Sequence, residues 1–389
     1  MMRRLNKLLG FLLLGVCFLL LGVCFLLTGC GSSAQKSASD FSDWKPTGSM
    51  ELQYADQFSV DYYDGGYALI TIAKQNQYLL VPEGKQAPQG LSSSITVLQQ
   101  PLDNIYLAAS SAMDLFDGLD ALPAIAMTST AEKDWSLPHV TQAIQQGRLQ
   151  YVGKYNAPDY ETLLTKNCQL AIESTMITHN PEVKEQLEKV NIPVLVEHSS
   201  YESHPMGRME WIKLYGLLLG KTDEAEKFFD EKVRQLNEMQ AADTGKTVAF
   251  FYISSTGSVN VRKPGDYVSK MIDMAGGSYV PTAQQLKVDD NALSTMNMQM
   301  EAFYAAAKDA DYIIYNSTIE GDLQTISQLT QKSSLLKDFK AVQTGNVWCT
   351  EKNMFQQTTG AADMIADLNR IVTGQADQTD QLTFLHRLK

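Results

Sequence analysis

The sequence predicts an α/β protein of two doubly wound α/β lobes joined by a long spanning helix, with a cleft between the lobes. Three observations carry this prediction. Strand-like and helix-like segments alternate over residues 51–204, no strand candidate occurs over 205–243, and a second alternating series fills 244–389. Strands that alternate with helices indicate a parallel sheet covered by helices on both faces.

Length and composition fit a folded protein of this kind. The chain has 389 residues, of which 44% are hydrophobic, so it can bury the cores of two domains. It carries 44 acidic residues against 32 Lys and Arg, a net charge of −12. This balance argues against a nucleic-acid-binding protein, which needs basic surface. A locally basic pocket for an anionic ligand stays compatible with it.

Residues 1–29 have the organisation of a secretion signal. Three cations among the first seven residues precede an uncharged stretch in which the heptad LLLGVCF occurs twice. The stretch ends in LTGC and looks like a bacterial lipoprotein cleavage site, so we expect acyl chains on Cys30 and a lipid-anchored, outward-facing protein. An uncleaved membrane helix is the alternative reading. The polar, serine-rich residues that follow predict a flexible tether over 30–50.

The N-terminal lobe is predicted over 51–204. It begins with strands 58–63 and 67–72, which flank the turn sequence DGG, and a third strand at 78–81. Further strands are predicted at 104–108, 124–127, 170–172 and 193–196. Helices are predicted at 112–119, 160–165 and 181–190.

The segment 205–243 is predicted to be helical throughout. Apolar residues recur at helical spacing on both sides of the sequence GKTD at 220–223, which interrupts the pattern. We expect one long helix, or two helices end to end, spanning about 50 Å if continuous.

The C-terminal lobe is predicted over 244–389. Its strands are expected at 247–253, 312–315 and 346–349. Its helices are expected at 266–275, 298–308, 325–331 and 360–372.

Two segments carry a family resemblance that covers about residues 50–375. HPMGRMEWIK (204–213), which runs into LLGK (218–221), is similar to the start of the inter-lobe helix in ABC-transporter solute-binding proteins of the iron-complex and vitamin B12 class. VNVRKPGDYVSKMI (259–272) resembles the start of their second lobe. The resemblance implies a rigid inter-lobe helix, a cleft-bound solute, and a permease with its ATPase as partners. It favours a monomer.

The same resemblance implies a docking role for one glutamate in each lobe. Glu161 and Glu301 each lie near the start of a helix that leads into a strand, which is the position of the family's permease contacts. Two carboxylates at a fixed separation can recognise basic groups on a partner and steer the encounter. The alternative is an ordinary exposed helical glutamate at each position.

Four residues are predicted to contact the ligand. Arg262 lies just past the predicted strand 247–253, and ligands of doubly wound sheets bind beyond the carboxyl ends of strands. Arg262 could fork onto a carboxylate, phosphate or siderophore oxygen. Trp135, which we expect to be exposed in a loop, could stack on the ligand or fix the loop. Tyr267 is predicted equally as core or contact, and Phe355 follows from the resemblance. We expect Ser110 and Ser111 to cap a helix, and 173–176 to edge the cleft.

No motif predicts an enzyme or a metal centre. The sequence contains no nucleophile elbow, no Ser-x-x-Lys with partners and no His-Glu-x-x-His, so we predict no catalytic residues and no cofactor. The five histidines form no ligand pair, although ligands from distant segments would leave no spacing. Beyond the predicted signal only Cys168 and Cys349 remain, either paired or isolated and buried.

The sequence therefore favours capture of an iron(III)–siderophore-type complex for an ABC importer. A corrinoid or haem in the same role is the alternative, because the motifs do not separate these ligands. A bare-metal binder and an extracellular hydrolase are less favoured, and an adhesin is disfavoured by the absence of repeats.

Overall fold

The computed structural model describes residues 40–239, 241–376 and 382–389. The predicted signal peptide and Cys30 lie outside these ranges. Within them, no helix has the length and apolar character needed to cross a membrane. Residues 40–44 and 88–91 form a small unit, in which the Phe41 amide donates to the Gln89 carbonyl (2.9 Å). The elements below belong to the second unit, 45–87 and 92–389.

An N-terminal five-stranded sheet has the order β1-β2-β3-β4-β5, antiparallel except for the parallel β4–β5 pair. Its strands are β1 (Gly48–Ser49), β2 (Phe58–Tyr63), β3 (Tyr67–Ile72), β4 (Asn76–Val81) and β5 (Ile95–Gln99). The predicted hairpin is confirmed, and Gly65 and Gly66 both adopt positive φ in its turn. β1 lies inside the predicted tether. The backbone of β1 pairs with β2, and a polar composition does not predict such pairing.

The N-terminal lobe contains a parallel sheet of order β12-β11-β6-β7-β8. Its strands are β6 (Ile105–Leu107), β7 (Ile125–Thr128), β8 (Gln150–Tyr151), β11 (Leu170–Ser174) and β12 (Val194–Glu197), and β9 (Gly153–Lys154) pairs with β10 (Ala157–Pro158) nearby. Its helices are α1 (Met113–Gly118), α2 (Pro138–Gln145), α3 (Tyr160–Thr165) and α4 (Pro181–Lys189). Leu170 and Ile172 pack into one core and Ala171 into another, so β11 is buried on both faces.

The helical segment departs from the expected end-to-end arrangement. It forms α5 (Pro205–Leu218) and α6 (Thr222–Glu238), interrupted at Gly220, which has positive φ. The helices lie side by side and antiparallel. The Lys213 ammonium lies 4.6 Å from the Phe229 ring centroid, and a Cβ on Gly216 would come within 2.5 Å of Ala225 Cβ. The left-handed turn reverses the chain, and Gly216 permits the close approach.

Two buried carboxylates anchor α5 to the chain before β2. Glu210 accepts hydrogen bonds from the backbone amides of Tyr54 (2.8 Å) and Ala55 (2.9 Å). Glu202 accepts from the Asp56 amide (2.9 Å) and from Trp211 Nε1 (2.8 Å). Hydrogen bonds of this kind compensate the desolvation of a buried carboxylate, so the segment is locked to the helix.

The C-terminal lobe contains a mixed sheet of order β16-β14-β13-β17-β18-β19, with β15 also paired to β13. Its strands are β13 (Lys246–Ile253), β14 (Val259–Arg262), β15 (Gly277–Val280), β16 (Thr295–Met298), β17 (Tyr312–Tyr315), β18 (Val347–Thr350) and β19 (Leu385–Arg387). Its helices are α7 (Tyr267–Met274), α8 (Ala283–Leu286), α9 (Met300–Ala307), α10 (Ser317–Glu320), α11 (Ile326–Lys332), α12 (Lys340–Thr344) and α13 (Ala361–Val372). Strands β13, β17 and β18 were predicted. Short β14, β15, β16 and β19 were not, because a few residues carry too little periodicity.

Candidate functional site

An open cleft of about 810 Å³ is lined by residues from both lobes. This volume lies within the range of small-molecule sites, about 300–1,000 Å³. Three predicted ligand residues line it together: Trp135 from the N-terminal lobe, and Arg262 and Phe355 from the C-terminal lobe. The remaining lining residues are Ser110, Lys133, Asp134, Ser136, Tyr252, Asn260, Thr295, Asn316, Ser317, Thr318, Ile319, Gly321, Lys352 and Gln356.

Arg262 is the last residue of strand β14 and lines the cleft. Its Nη1 lies 3.5 Å from Asp266 Oδ2, and its guanidinium carbon lies 5.0 Å from the Phe355 ring centroid. Burial acts to lower the pKa of Arg262, but the Asp266 carboxylate holds that pKa above its ordinary value. The guanidinium therefore stays charged, with its aromatic neighbours holding it in place.

Trp135 is buried, with 7% of its surface exposed, which corrects the expectation of an exposed loop residue. Its Nε1 donates to the Thr130 carbonyl (3.1 Å), and its ring joins the core that includes Leu137 and Val140. Residues of this loop pack against the core, so a side chain that a polar loop sequence predicts to be exposed is buried. One edge of the ring still borders the cleft.

Tyr267 lies outside the cleft lining, at the start of α7, and is buried. Two guanidinium groups lie near its ring centroid, that of Arg208 at 4.1 Å and that of Arg262 at 5.6 Å. This environment matches the core alternative and gives the residue a supporting position behind Arg262.

Several cleft residues were missed by the sequence reasoning. Asn316, Ser317 and Thr318 follow the carboxyl end of β17, so the rule that selected Arg262 could also have found them. Lys133 and Lys352 lie in the same loops as Trp135 and Phe355. With Arg262 they give the cleft three cations against one lining acid, Asp134.

Hydrogen bonds join the two lobes at the cleft. Gln356 Nε2 donates to the Asp134 carbonyl (2.7 Å), and its Oε1 accepts from the Ser136 amide (2.7 Å). Close by, Thr358 Oγ1 donates to the Ser111 carbonyl (2.7 Å). Gln356 thus fixes the loop that carries Lys133 and Trp135 to the loop that carries Lys352 and Phe355.

Two further expectations about strand ends are corrected. Ser110 and Ser111 belong to a short 3₁₀ turn, and neither side chain caps a helix, because the turn intervenes before α1. Glu173 lies inside β11 and is fully buried instead of edging the cleft. Burial raises the pKa of Glu173 to about 8.

Glu161 and Glu301 occupy matching places in the two lobes. Each is exposed and is the second residue of its helix, α3 or α9. The chain after each helix is tied down in the same way. Gln169 Oε1 accepts from the Asn104 amide (3.1 Å) before β6, and Asp311 Oδ2 accepts from the Thr247 amide (3.0 Å) in β13.

Both cysteines within the described ranges are free and buried. Burial raises the pKa of the Cys168 thiol to about 11 and that of the Cys349 thiol to about 12. Both thiols are therefore protonated at neutral pH.

Comparison with known proteins identifies the class. The sequence model of the periplasmic binding protein family matches residues 105–354, well over half of the chain. The chain therefore belongs to the periplasmic binding protein family.

Relatives by sequence and by structure agree with this class. The uncharacterized lipoprotein MJ0878 of Methanocaldococcus jannaschii is 23% identical over 356 residues, 84% of this chain and 82% of the relative. The periplasmic heme-binding protein HutB of Vibrio cholerae superposes with a TM-score of 0.55 at 18% identity, over 70% of this chain and 98% of that protein. An ABC-type Fe³⁺-hydroxamate transport protein of Saccharomonospora viridis gives 0.53 at 15% identity, over 70% and 94%. These structures share the two-lobed fold.

Proposed function

We propose that this protein is the outward-facing, lipid-anchored solute-binding protein of an ABC importer, and that it captures an anionic iron(III)–siderophore-type complex. The charge of the cleft carries this proposal. Arg262, Lys133 and Lys352 line it in a protein whose net charge is −12, so positive charge is concentrated where a ligand would bind. The anchor is supported by the sequence at Cys30 and by the lipoprotein name of the archaeal relative.

The other cleft residues suit a chelate with oxygen atoms and flat rings. Trp135 and Phe355 line the cleft with aromatic residues, and the side-chain amide of Asn316 offers hydrogen-bond donors. Among the described residues that line the cleft, Asp134 is the only acid and there is no histidine or cysteine. This donor set favours a complexed metal over a bare cation.

Haem in the same role is the second candidate, and one residue favours it. Tyr252 brings a phenol to the cleft, and a tyrosine oxygen is one of the axial ligands that proteins use for haem iron. The Vibrio cholerae neighbour HutB is a heme-binding protein, which favours the same ligand.

A fluorescence titration distinguishes these ligands. The purified protein is titrated with ferric catecholate and hydroxamate siderophores, haem, cobalamin, and bare Fe(III), Mn(II) and Zn(II). We expect saturable quenching by one anionic ferric chelate, mostly lost in Trp135→Phe and kept in the control Trp348→Phe. Binding of haem alone, with an absorption spectrum that changes in Tyr252→Phe, would identify haem as the ligand in place of a siderophore complex. A response to bare metal alone, or to nothing in the panel, would contradict the proposal.

A further inference from the structure

A cluster of potential metal ligands lies outside the cleft lining, in the C-terminal lobe. Asp322, Cys349 and His386 each offer one donor atom, and the three atoms lie within 4.8 Å of one another. The residues come from the turn after α10, from β18 and from β19. Because the three residues are far apart in the chain, no sequence motif predicts that they lie together.

Two of the three separations, those from Asp322 Oδ1, match the spacing of ligands in a tetrahedral zinc site. Cys349 Sγ lies 3.6 Å from Asp322 Oδ1, and His386 Nε2 lies 3.4 Å from the same oxygen. With Zn–S of about 2.3 Å and Zn–N or Zn–O of about 2.0–2.2 Å, adjacent tetrahedral ligands lie about 3.4–3.6 Å apart. A metal ion could therefore enter with small movements of these side chains.

A fourth residue orients the histidine as zinc sites require. His386 Nδ1 donates to Glu351 Oε1 at 2.7 Å, and Nε2, on the other side of the ring, lies 3.4 Å from Asp322 Oδ1. A carboxylate behind a histidine ligand fixes the ring and raises its basicity. Nε2 now also donates to the Leu323 carbonyl (2.8 Å), a hydrogen bond that a bound metal would replace.

We propose that Asp322, Cys349 and His386 form a Zn²⁺ site, with Glu351 as the positioning residue and water as the fourth ligand. Sulfur, imidazole and carboxylate together are a donor set typical of zinc. Binding releases the Cys349 thiol proton and the His386 Nε2 proton to solvent. Asp322 is exposed and gives the ion a path to the buried sulfur. The bound ion would fasten edge strand β19 to β18 and to the turn at Asp322.

Cobalt titration tests the site on the full chain purified in detergent. After treatment with a chelator, Co²⁺ is added, and we expect one equivalent to give a sulfur-to-cobalt charge-transfer band with the visible bands of tetrahedral cobalt. Zn²⁺ should displace it and raise the melting temperature. Cys349→Ser should abolish the charge-transfer band, whereas Cys168→Ser, which changes the other buried thiol, should retain it.

Two surface variants keep the test decisive if Cys349→Ser fails to fold. Asp322→Asn changes an exposed ligand and should weaken Co²⁺ binding at least about tenfold. Glu351→Gln should weaken it by about 10- to 100-fold while the charge-transfer band is retained at saturation. Absence of a saturable cobalt spectrum in the wild type, or full affinity in Asp322→Asn, would overturn the proposal.

Discussion

At the scale of single residues, the cleft depends on a charged group with a buried counter-ion. Arg262 forms an ion pair with Asp266, which is itself buried. Asp266 also accepts a hydrogen bond from the Val268 backbone amide (3.0 Å) at the start of α7. Such a group is oriented before a ligand arrives, so little ordering is needed on binding. The arginine therefore combines a structural ion pair with a face directed to the cleft.

Replacing Arg262 by glutamine should weaken binding of the ferric chelate by about 10- to 100-fold, because a charge-assisted hydrogen bond contributes about 1.5–3 kcal/mol. The fluorescence titration described above measures it, and Arg148→Gln, an exposed cation away from the cleft lining, is the control. The melting temperatures of both variants are also compared, because Arg262→Gln leaves the buried Asp266 carboxylate without its ion-pair partner and this change can lower stability. Unchanged affinity would remove Arg262 from the site.

Glu173 makes stability depend on pH. Both carboxylate oxygens are buried without a hydrogen-bond partner among the described residues, as is the nearby Tyr106 hydroxyl. Burial raises the pKa from 4.5 to about 8, so the folded protein keeps a proton that the unfolded chain releases. The contribution of protonated Glu173 to the free energy of unfolding is therefore fully present below about pH 4.5, and it is lost as the pH rises toward 8.

Glu173→Gln should remove this dependence. The gain in unfolding free energy over the wild type should grow with pH by about 1.4 kcal/mol per unit between pH 5 and 8. Urea unfolding at several pH values measures it, with exposed Glu185→Gln as the control. A gain that does not change with pH would show that Glu173 is ionised in the folded protein.

At the scale of elements, the helical segment shows how two glycines set the arrangement of a pair of helices. Periodicity located α5 and α6, and we expected them end to end, because periodicity does not report how two helices pack against each other. The left-handed Gly220 allows the reversal, and the bare backbone of Gly216 lets α6 approach α5. Glu202 and Glu210 then attach the preceding chain to α5.

Gly216→Ala should destabilise the protein by about 1–3 kcal/mol. Its Cβ would lie 2.5 Å from Ala225 Cβ and 2.8 Å from the Lys221 carbonyl oxygen, so the helices must separate. This strain outweighs the gain in helix propensity of about 1 kcal/mol. Urea unfolding measures the loss, and Gly48→Ala, which has nothing within 4 Å of its Cβ, should leave stability unchanged. Equal stability of both variants would contradict the close packing.

At the scale of the whole molecule, the two lobes repeat one local design. In each, a short helix with an exposed glutamate precedes a strand of the lobe's main sheet, and the side chain just before that strand binds the backbone at or beside the first strand of the same sheet in chain order. The repeated anchoring supports a shared role for Glu161 and Glu301, which the family resemblance implies to be permease docking.

Glu161→Gln combined with Glu301→Gln should reduce uptake at least about tenfold while ligand affinity is unchanged. Neutral glutamine keeps the size of the side chain and removes the charge that steers the partner. Transport of the labelled chelate into cells is measured together with binding to the purified variant. Glu182→Gln with Glu185→Gln, two exposed changes on α4, is the matched control. A parallel loss of affinity would contradict the docking role.

The sequence by itself determined the α/β class and seven parallel strands of the two lobes (β6, β7, β11, β12, β13, β17 and β18), and it named three residues that line the cleft. The strands follow from local periodicity. Arg262 follows from the rule that ligands meet the carboxyl ends of strands, Trp135 from its aromatic ring in a loop, and Phe355 from the family resemblance. Tertiary structure alone decided the reversal at Gly220, the burial of Trp135 and Glu173, and the meeting of Asp322, Cys349 and His386. These depend on contacts between residues far apart in the chain, and hydrophobic periodicity reports only which face of an element is buried, not which element will cover it.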